Sequence, residues 1–227
     1  MPESEAHAKV NQDLYPELAA IGGLPGAIRA ALSKRMPFDV PVHPGDGRFT
    51  TAKIHSDRGI ISVLLGAEKR LFYISVSTET HSWTSGSTTS LESAMEMISA
   101  WLNGASLSDL ATRFPFMSYD PLAEAYEKGD PVETQWDLLL NEDIYASLRP
   151  LLWAVRANQS LRRRFPYISH GRLRLARDPL VRSLDEVWVT PLSSGAYRIE
   201  TPRDPSSAAE YGTISDAVNA MDDCIRW

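Results

Sequence analysis

The stretch "RFPYIS" at residues 164–169 repeats most of the spelling of "RFPFMS" at residues 113–118. Each copy follows a stretch with helical character, and each has a proline two residues after its arginine. Proline lacks a backbone N–H and disfavours helical dihedrals in the residue before it, while a basic residue suits the negative end of a helix. We therefore interpret Arg-Phe-Pro as a helix stop whose flanking aromatic side chains fold back and anchor the helix end.

A fainter third copy, "LSKRMPF" at residues 32–38, aligns with residues 161–167 at a shift of 129. Both copies are followed by several strand-like runs and then by an amphipathic helical segment. These closing segments match at a shift of 126, in the pairs Gly86/Gly212, Ala94/Ala220, Met95/Met221 and Trp101/Trp227. Thr89 and Ser215 are the small polar residues expected to cap the two helices. The pattern predicts that the two halves of the chain are built alike.

The predicted fold class is α+β, with two similar modules of the form helix, antiparallel sheet, helix, joined by a helical linker. The predicted division is an N-terminal arm with a short helix (1–23), a first α+β module (24–103), a helical acidic linker (104–149) and a second α+β module (150–227). We expect hairpin loops such as "LGAEKR" and "PLSSGA" to absorb the three-residue difference between the two shifts.

The composition is that of an ordinary globular protein, with 43% hydrophobic and 23% charged residues in a chain of 227. The N-terminus has no apolar leader, and no run approaches the roughly 18 apolar residues that span a membrane. We expect a cytoplasmic protein without a membrane segment. The net charge of −6 argues against a nucleic-acid-binding protein. Cys224 is the only cysteine, which excludes an intrachain disulfide and a thiolate zinc site.

No stretch spells a nucleotide-binding loop, a zinc-protease helix or a serine-hydrolase elbow. The five histidines lack the spacing that places two ligands on one helix face, so we expect neither a metal nor a cofactor. His170 is the candidate acid–base residue, because it lies where a helix stop leads into a strand. The alternative for His170 is an exposed turn residue. Trp83, in "HSWTSGSTTS" at residues 81–90, is a candidate ligand contact or part of a strand and cap.

Charge is distributed unevenly along the chain. Residues 118–147 hold eight acids against one lysine, and residues 149–182 hold nine arginines against one aspartate. In "GRLRLAR", strand alternation places Arg172 and Arg174 on the face opposite Leu173 and Leu175. The arginines are either neutralised by the acidic linker or available to an external anion. The candidate ligand-binding set is Arg164, His170, Arg172, Arg174 and Trp83.

The runs "AWLNGASLSDLATRFPF" (100–116) and "LRRRFPYISH" (161–170) resemble a bacterial family of unknown function associated with natural-product biosynthesis clusters. The resemblance extends from "DLYPELAAIGGLPGAIRAAL" to the C-terminal helix, and no catalytic residue is assigned in that family. It implies a cytoplasmic accessory protein of a biosynthetic pathway, such as one that makes modified peptides.

We therefore expect an accessory or binding protein of natural-product biosynthesis that recognises an acidic peptide, a small anionic molecule or a biosynthetic enzyme. One alternative is a cofactor-independent enzyme, such as a cyclase or isomerase, with a pocket between the two halves and His170 as its acid–base residue. Another is a self-protection or inhibitor protein that binds a partner enzyme. The sequence does not fix the oligomeric state.

Overall fold

The computed structural model describes residues 10–19, 21–178 and 185–225. The chain divides between Glu127 and Lys128 into two compact units. Each unit has its own antiparallel sheet and its own hydrophobic core. The predicted α+β class, with two helix–sheet modules joined by helices, is confirmed.

The first unit is built around a six-stranded antiparallel sheet whose strands pair in chain order. Its elements in the described part of the chain are α1 (Pro16–Ala19), α2 (Gly23–Leu32), β1 (Val42–Pro44), β2 (Thr51–Ser56), β3 (Gly59–Leu65), β4 (Phe72–Ser77), β5 (Ser82–Thr88), α3 (Leu91–Leu102), α4 (Leu107–Arg113), β6 (Met117–Ser118) and α5 (Pro121–Lys128), which ends at the division.

Strand β3 shows how alternation gives this sheet one covered face. Ile61 and Val63 are fully buried, whereas Ser62 between them points to the opposite face. Helix α2 packs against β1 and β2, and α3 packs against β4 and β5. The apolar side chains of the strands and of these helices form one core. The other face of the sheet carries many hydroxyl side chains, among them Ser62, Ser75 and Ser85.

The second unit is built around a five-stranded antiparallel sheet in the order β11-β10-β9-β8-β7. Its described elements are α6 (Pro131–Asn141), a 3-10 helix (Asp143–Leu148), α7 (Arg149–Ala157), a 3-10 turn (Leu161–Arg163), β7 (Phe165–Ser169), β8 (Arg172–Ala176), β9 (Glu186–Pro191), β10 (Tyr197–Thr201), β11 (Asp204–Tyr211) and α8 (Ile214–Ile225). The loops between β3 and β4 and between β9 and β10 lie where the hairpin loops were predicted.

The segment predicted as a linker, residues 104–149, contributes to both units. Strand β6 adds to the first sheet through the pairing of Met117 with Gly86. Trp136 on α6 is fully buried in the second core, and its indole N–H donates to the carbonyl of Arg162 at 3.0 Å. The acidic segment is therefore packed structure in each unit.

The first Arg-Phe-Pro ends a helix, as predicted. Helix α4 stops at Arg113, and the N–H of Phe114 donates to the carbonyl of Leu110 at 2.8 Å. Phe114 is buried, and its ring centroid lies 5.9 Å from that of Phe116. The two rings fix the end of α4 against the core.

The second copy of Arg-Phe-Pro, at residues 164–166, does not directly follow the end of an α-helix. Helix α7 ends at Ala157, because the side-chain oxygen of Asn158 accepts the N–H groups of Ser160 and Leu161 at 2.9 and 3.1 Å and so replaces the helical bonds. The arginine follows the short 3-10 turn instead. The aromatic residues after it start strand β7, so Tyr167 does not fold back on a helix. Its hydroxyl donates to Glu186 at 2.8 Å. Pro166 is tolerated because β7 is an edge strand.

The helix caps correct the predicted alignment of the two halves. Ser90 accepts the N–H of Ser93, and Thr213 accepts the N–H of Asp216, both at 3.1 Å. These caps are 213 − 90 = 123 residues apart, not 126, so Thr89 and Ser215 are not the capping residues. At this shift two fully buried pairs coincide, Ala94/Ala217 and Ile98/Met221. Trp227, which the sequence alignment matched to Trp101, lies outside the described residues.

No helix in the described ranges combines the length and the apolar character that crossing a membrane requires.

The caps can be tested by paired substitutions. We expect Ser90→Ala and Thr213→Ala each to lower the free energy of unfolding by about 1 kcal/mol, because one N–H at each helix start loses its acceptor. Thr89→Ala and Ser215→Ala are matched controls, one and two positions from the caps. They should lower the free energy of unfolding by less than about 0.5 kcal/mol. Urea unfolding of the four variants measures this. If either control lowers the free energy of unfolding more than the corresponding cap variant does, the alignment of the two halves at a shift of 126 residues is correct.

Candidate anion-binding site

Strand pairing brings two arginines together at one end of the β7–β8 hairpin. Phe165 pairs with Ala176 at the last position of the antiparallel ladder. Arg164 precedes Phe165 and Arg177 follows Ala176, so the two guanidinium groups leave the ladder side by side. Arg163, at the end of the 3-10 turn, adds a third. They surround a cavity of about 720 Å3 that is also lined by Gln159, Ser160 and Ile225.

Arg164 is half-buried, whereas Arg163 and Arg177 are exposed. The Nη2 of Arg164 donates to the carbonyl of Ile225 at 3.4 Å, which is a long and weak hydrogen bond. Its Nη1 is buried without a hydrogen-bond partner in the described part of the chain. A buried donor of a charged group that lacks an acceptor is costly.

The electrostatics of the cavity agree with this geometry. Burial, and then the nearby charge of Arg177, lower the pKa of Arg164, while Asp185 acts in the opposite direction. An arginine stays protonated at any physiological pH despite such a shift. Asp185 itself forms an ion pair with Arg203. Within residues 10–19, 21–178 and 185–225, no carboxylate forms an ion pair with Arg163, Arg164 or Arg177.

The acidic residues of the predicted linker neutralise a different group of arginines. Glu133 pairs with Arg156 at 3.0 Å and with Arg162 at 2.9 Å, and hydrogen bonds from Arg162 and Arg156 lower its pKa. Asp137 pairs with Arg156 at 2.7 Å. Arg149 pairs with Asp143 at 2.9 Å. These acids of the predicted linker thus pair with arginines of the helical part, Arg149, Arg156 and Arg162. Arg182, the last arginine of the predicted run, lies outside the described residues.

The predicted pair Arg172 and Arg174 lies on the sheet face opposite the helices. Leu173 and Leu175 between them are fully buried, as strand alternation predicts. Arg172 pairs with Glu200 on β10 at 3.0 Å, so its counter-charge comes from the same sheet and not from the acidic segment. The guanidinium of Arg174 lies 4.4 Å from the ring centroid of Trp188. Arg172 thus has its counter-charge within the sheet. Arg174 has an aromatic neighbour there, but its Nε is buried without a hydrogen-bond partner in the described part of the chain.

His170 lies at the other end of the same hairpin. It has a positive φ of 53° and is followed by Gly171 at φ 72°, which makes a two-residue turn between β7 and β8. Six residues of extended chain separate it from Arg164, a distance of about 20 Å. The structure therefore places His170 in an exposed turn, away from the arginine cavity.

Trp83 lies in the first unit, in a bulge of β5 opposite Ser77. A bulge redirects the side chain that it inserts. The indole of Trp83 lies 4.3 Å from the ring of His81 and 6.2 Å from that of Trp101, centroid to centroid. The guanidinium of Arg58 stacks on Trp101 at 3.7 Å and forms an ion pair with Glu127. Trp83 belongs to the first unit, whereas the arginines of the candidate set belong to the second.

Sequence reasoning thus identified Arg164 but missed the other two residues of the cavity. Arg163 stands beside Arg164 in the chain, and only the geometry shows that it faces the same space. Arg177 could have been found by extending the hairpin register by one residue beyond "RLRLA". Among the described residues, no group of three or more His, Cys, Asp and Glu side chains is placed to hold a metal ion.

Residues 130–222 match a family of unknown function, DUF6193. The match covers somewhat less than half of the chain, and it includes the whole arginine cavity apart from Ile225. No curated protein and no solved structure matches the chain.

The burial of His81 in an aromatic cluster predicts that the stability of the protein depends on pH. His81 stacks on Tyr126 with ring centroids 4.6 Å apart, and burial lowers the pKa of its imidazole, opposed by Asp120. Because the unfolded chain then binds more protons than the folded chain below about pH 6.5, stability should fall as the pH drops through that value.

We expect His81→Phe, which keeps the ring stack but cannot titrate, to lose less stability than the natural protein between about pH 7.5 and about pH 5.5. Urea unfolding at the two pH values measures this. His170→Asn is the control, because asparagine tolerates a positive φ and the residue is exposed. An unchanged pH dependence in His81→Phe would show that His81 does not carry the effect.

Proposed function

We propose that the protein is an accessory or binding protein whose second unit recognises an anionic ligand. The ligand is an acidic peptide or another anionic biosynthetic intermediate, and Arg163, Arg164 and Arg177 bind it. One observation carries this proposal: the guanidinium groups of Arg163, Arg164 and Arg177 line one cavity, and no described carboxylate forms an ion pair with any of them.

The side chains of the cavity define the chemistry of the ligand. Three guanidinium groups are donors only, and the remaining polar lining groups, Gln159 and Ser160, can donate as well. Arginine matches carboxylate and phosphate oxygens with two parallel hydrogen bonds. The ligand group at this place is therefore a carboxylate, a phosphate or a similar oxyanion.

The size of the cavity bears on how much of the ligand it holds. About 720 Å3 lies within the range of small-molecule sites, roughly 300–1,000 Å3, and exceeds what one anionic group occupies. An acidic side chain or chain end together with its neighbours would fill it. The biosynthetic setting of the proposal rests on the resemblance of residues 100–116 and 161–170, whereas the matched family names no activity.

Binding and stability measured on the same variant test this proposal. We expect Arg164→Gln to weaken binding of a tetraglutamate peptide by about 2 kcal/mol or more, because the buried charged partner of its carboxylate is lost. The same variant should be as stable as the natural protein, or more stable, because an uncompensated buried charge has been removed. Titration calorimetry and thermal unfolding provide the two measurements.

Arg172→Gln is the matched control, since Arg172 already has Glu200 as its partner. It should leave tetraglutamate binding nearly unchanged. A tetraglutamine peptide distinguishes recognition of charge from recognition of the backbone and should not bind. Binding of inorganic phosphate alone would identify a small anionic intermediate in place of a peptide. If neither anion binds, or if Arg164→Gln binds tetraglutamate normally, the proposal is wrong.

A further inference from the structure

The open face of the first sheet carries an ordered row of hydroxyl groups. Strand register pairs Ser62 with Ser75, Ser75 with Ser85, and Ser85 with Ser118 across four successive strands. At its other end, the row continues through Lys53, which pairs with Ser62, to His43 on the edge strand. Residues directly opposite on one face have Cβ atoms about 5 Å apart. The row is therefore continuous across the whole sheet.

Most hydroxyls of the row have no hydrogen-bond partner among the described residues. Apart from Ser118, which donates to the carbonyl of Ser85 at 3.3 Å, no serine of the row forms a side-chain hydrogen bond with another described residue. Ser87 and Thr51 in the neighbouring row add two more hydroxyls to the same surface. Each hydroxyl can both donate and accept. The face thus offers an array of free groups suited to a ligand that also donates and accepts.

The middle of the row, Lys53, Ser62, Ser75 and Ser85, lines an open groove of about 800 Å3. Leu64 and Tyr73 pair with each other beside the row and expose 47% and 44% of their surfaces, which gives the groove an apolar platform. Phe116 lines it on the β6 side. Serine is short, so the groove stays shallow between these larger side chains. Aromatic and aliphatic groups next to hydroxyls match a ligand that has both C–H faces and hydroxyl edges.

The charge of the groove excludes a polyion. One ammonium group, Lys53, and one carboxylate, Asp46, line it, and their formal charges cancel. The arginine cavity of the second unit has the opposite character, with three cations. The ligand of the groove should therefore be neutral, unlike that of the cavity.

We propose that this groove binds a neutral, hydroxyl-rich chain of the oligosaccharide type. Neighbouring strands lie about 4.8 Å apart, so hydroxyls recur across the sheet at a spacing close to the length of one sugar ring. A chain lying across the strands would meet one serine hydroxyl at each strand, while its C–H faces rest on Tyr73 and Leu64. This site is independent of the anion cavity.

The test uses the full chain and a panel of neutral oligosaccharides: cellohexaose, chitohexaose, maltohexaose and mannohexaose. We expect at least one to bind by titration calorimetry. The triple variant Ser62→Ala, Ser75→Ala and Ser85→Ala should weaken that binding by about tenfold or more, because three hydrogen-bonding groups are lost. Tyr73→Ala should weaken it similarly and Tyr73→Phe much less, because the ring face is kept.

Ser77→Ala is the matched control, since Ser77 lies on the same sheet but does not line the groove. It should bind like the natural protein. Thermal unfolding of the triple variant should be unchanged, which separates a lost contact from a lost fold. The proposal is overturned if no oligosaccharide binds, if hexaethylene glycol or a serine–glycine peptide binds as well as the best sugar, or if the triple variant binds normally while folded.

Discussion

Backbone pairing between neighbouring antiparallel strands determines which side chains stand next to each other in both units. In the second sheet, the pairing of Phe165 with Ala176 is what places Arg164 beside Arg177. In the first sheet, the same kind of pairing aligns four serines from four strands. A slip of one residue would turn each strand's buried side chains outward, so the hydrophobic cores hold both registers. The two candidate sites are therefore consequences of how the cores are packed.

The arginines of the second unit show that local charge density is a poor guide to where a charge is available. Arg149, Arg156 and Arg162 lie close to acids in the fold, and Arg172 has Glu200 on a neighbouring strand. The arginines around the cavity have no such described partner. A count of charges along the sequence does not distinguish these two groups of arginines. The fold separates the arginines that have an acidic partner from those that have none among the described residues.

Features set by short-range chemistry could be predicted from the sequence. The alternation in "GRLRLAR" gave the correct faces, and the first Arg-Phe-Pro gave the correct end of α4. The caps were misplaced because Thr89 and Ser90, like Thr213 and Ser215, are all suitable polar residues, and only packing chooses between them. The helix before Arg164 was extended too far because the competing bonds of Asn158 are not visible in apolar periodicity. Arg177 required the register of a hairpin, which depends on contacts across the sheet.

Pro166 has a consequence for how a peptide could be recognised near the arginine cavity. It lies in edge strand β7, directly after Arg164 and Phe165, and it has no N–H to offer to an incoming strand. A peptide therefore cannot extend this sheet with a complete ladder of main-chain hydrogen bonds. Recognition there has to rely on the peptide's side chains or its terminus, which makes binding depend on where its negative charge lies and tolerant of the residues around that charge.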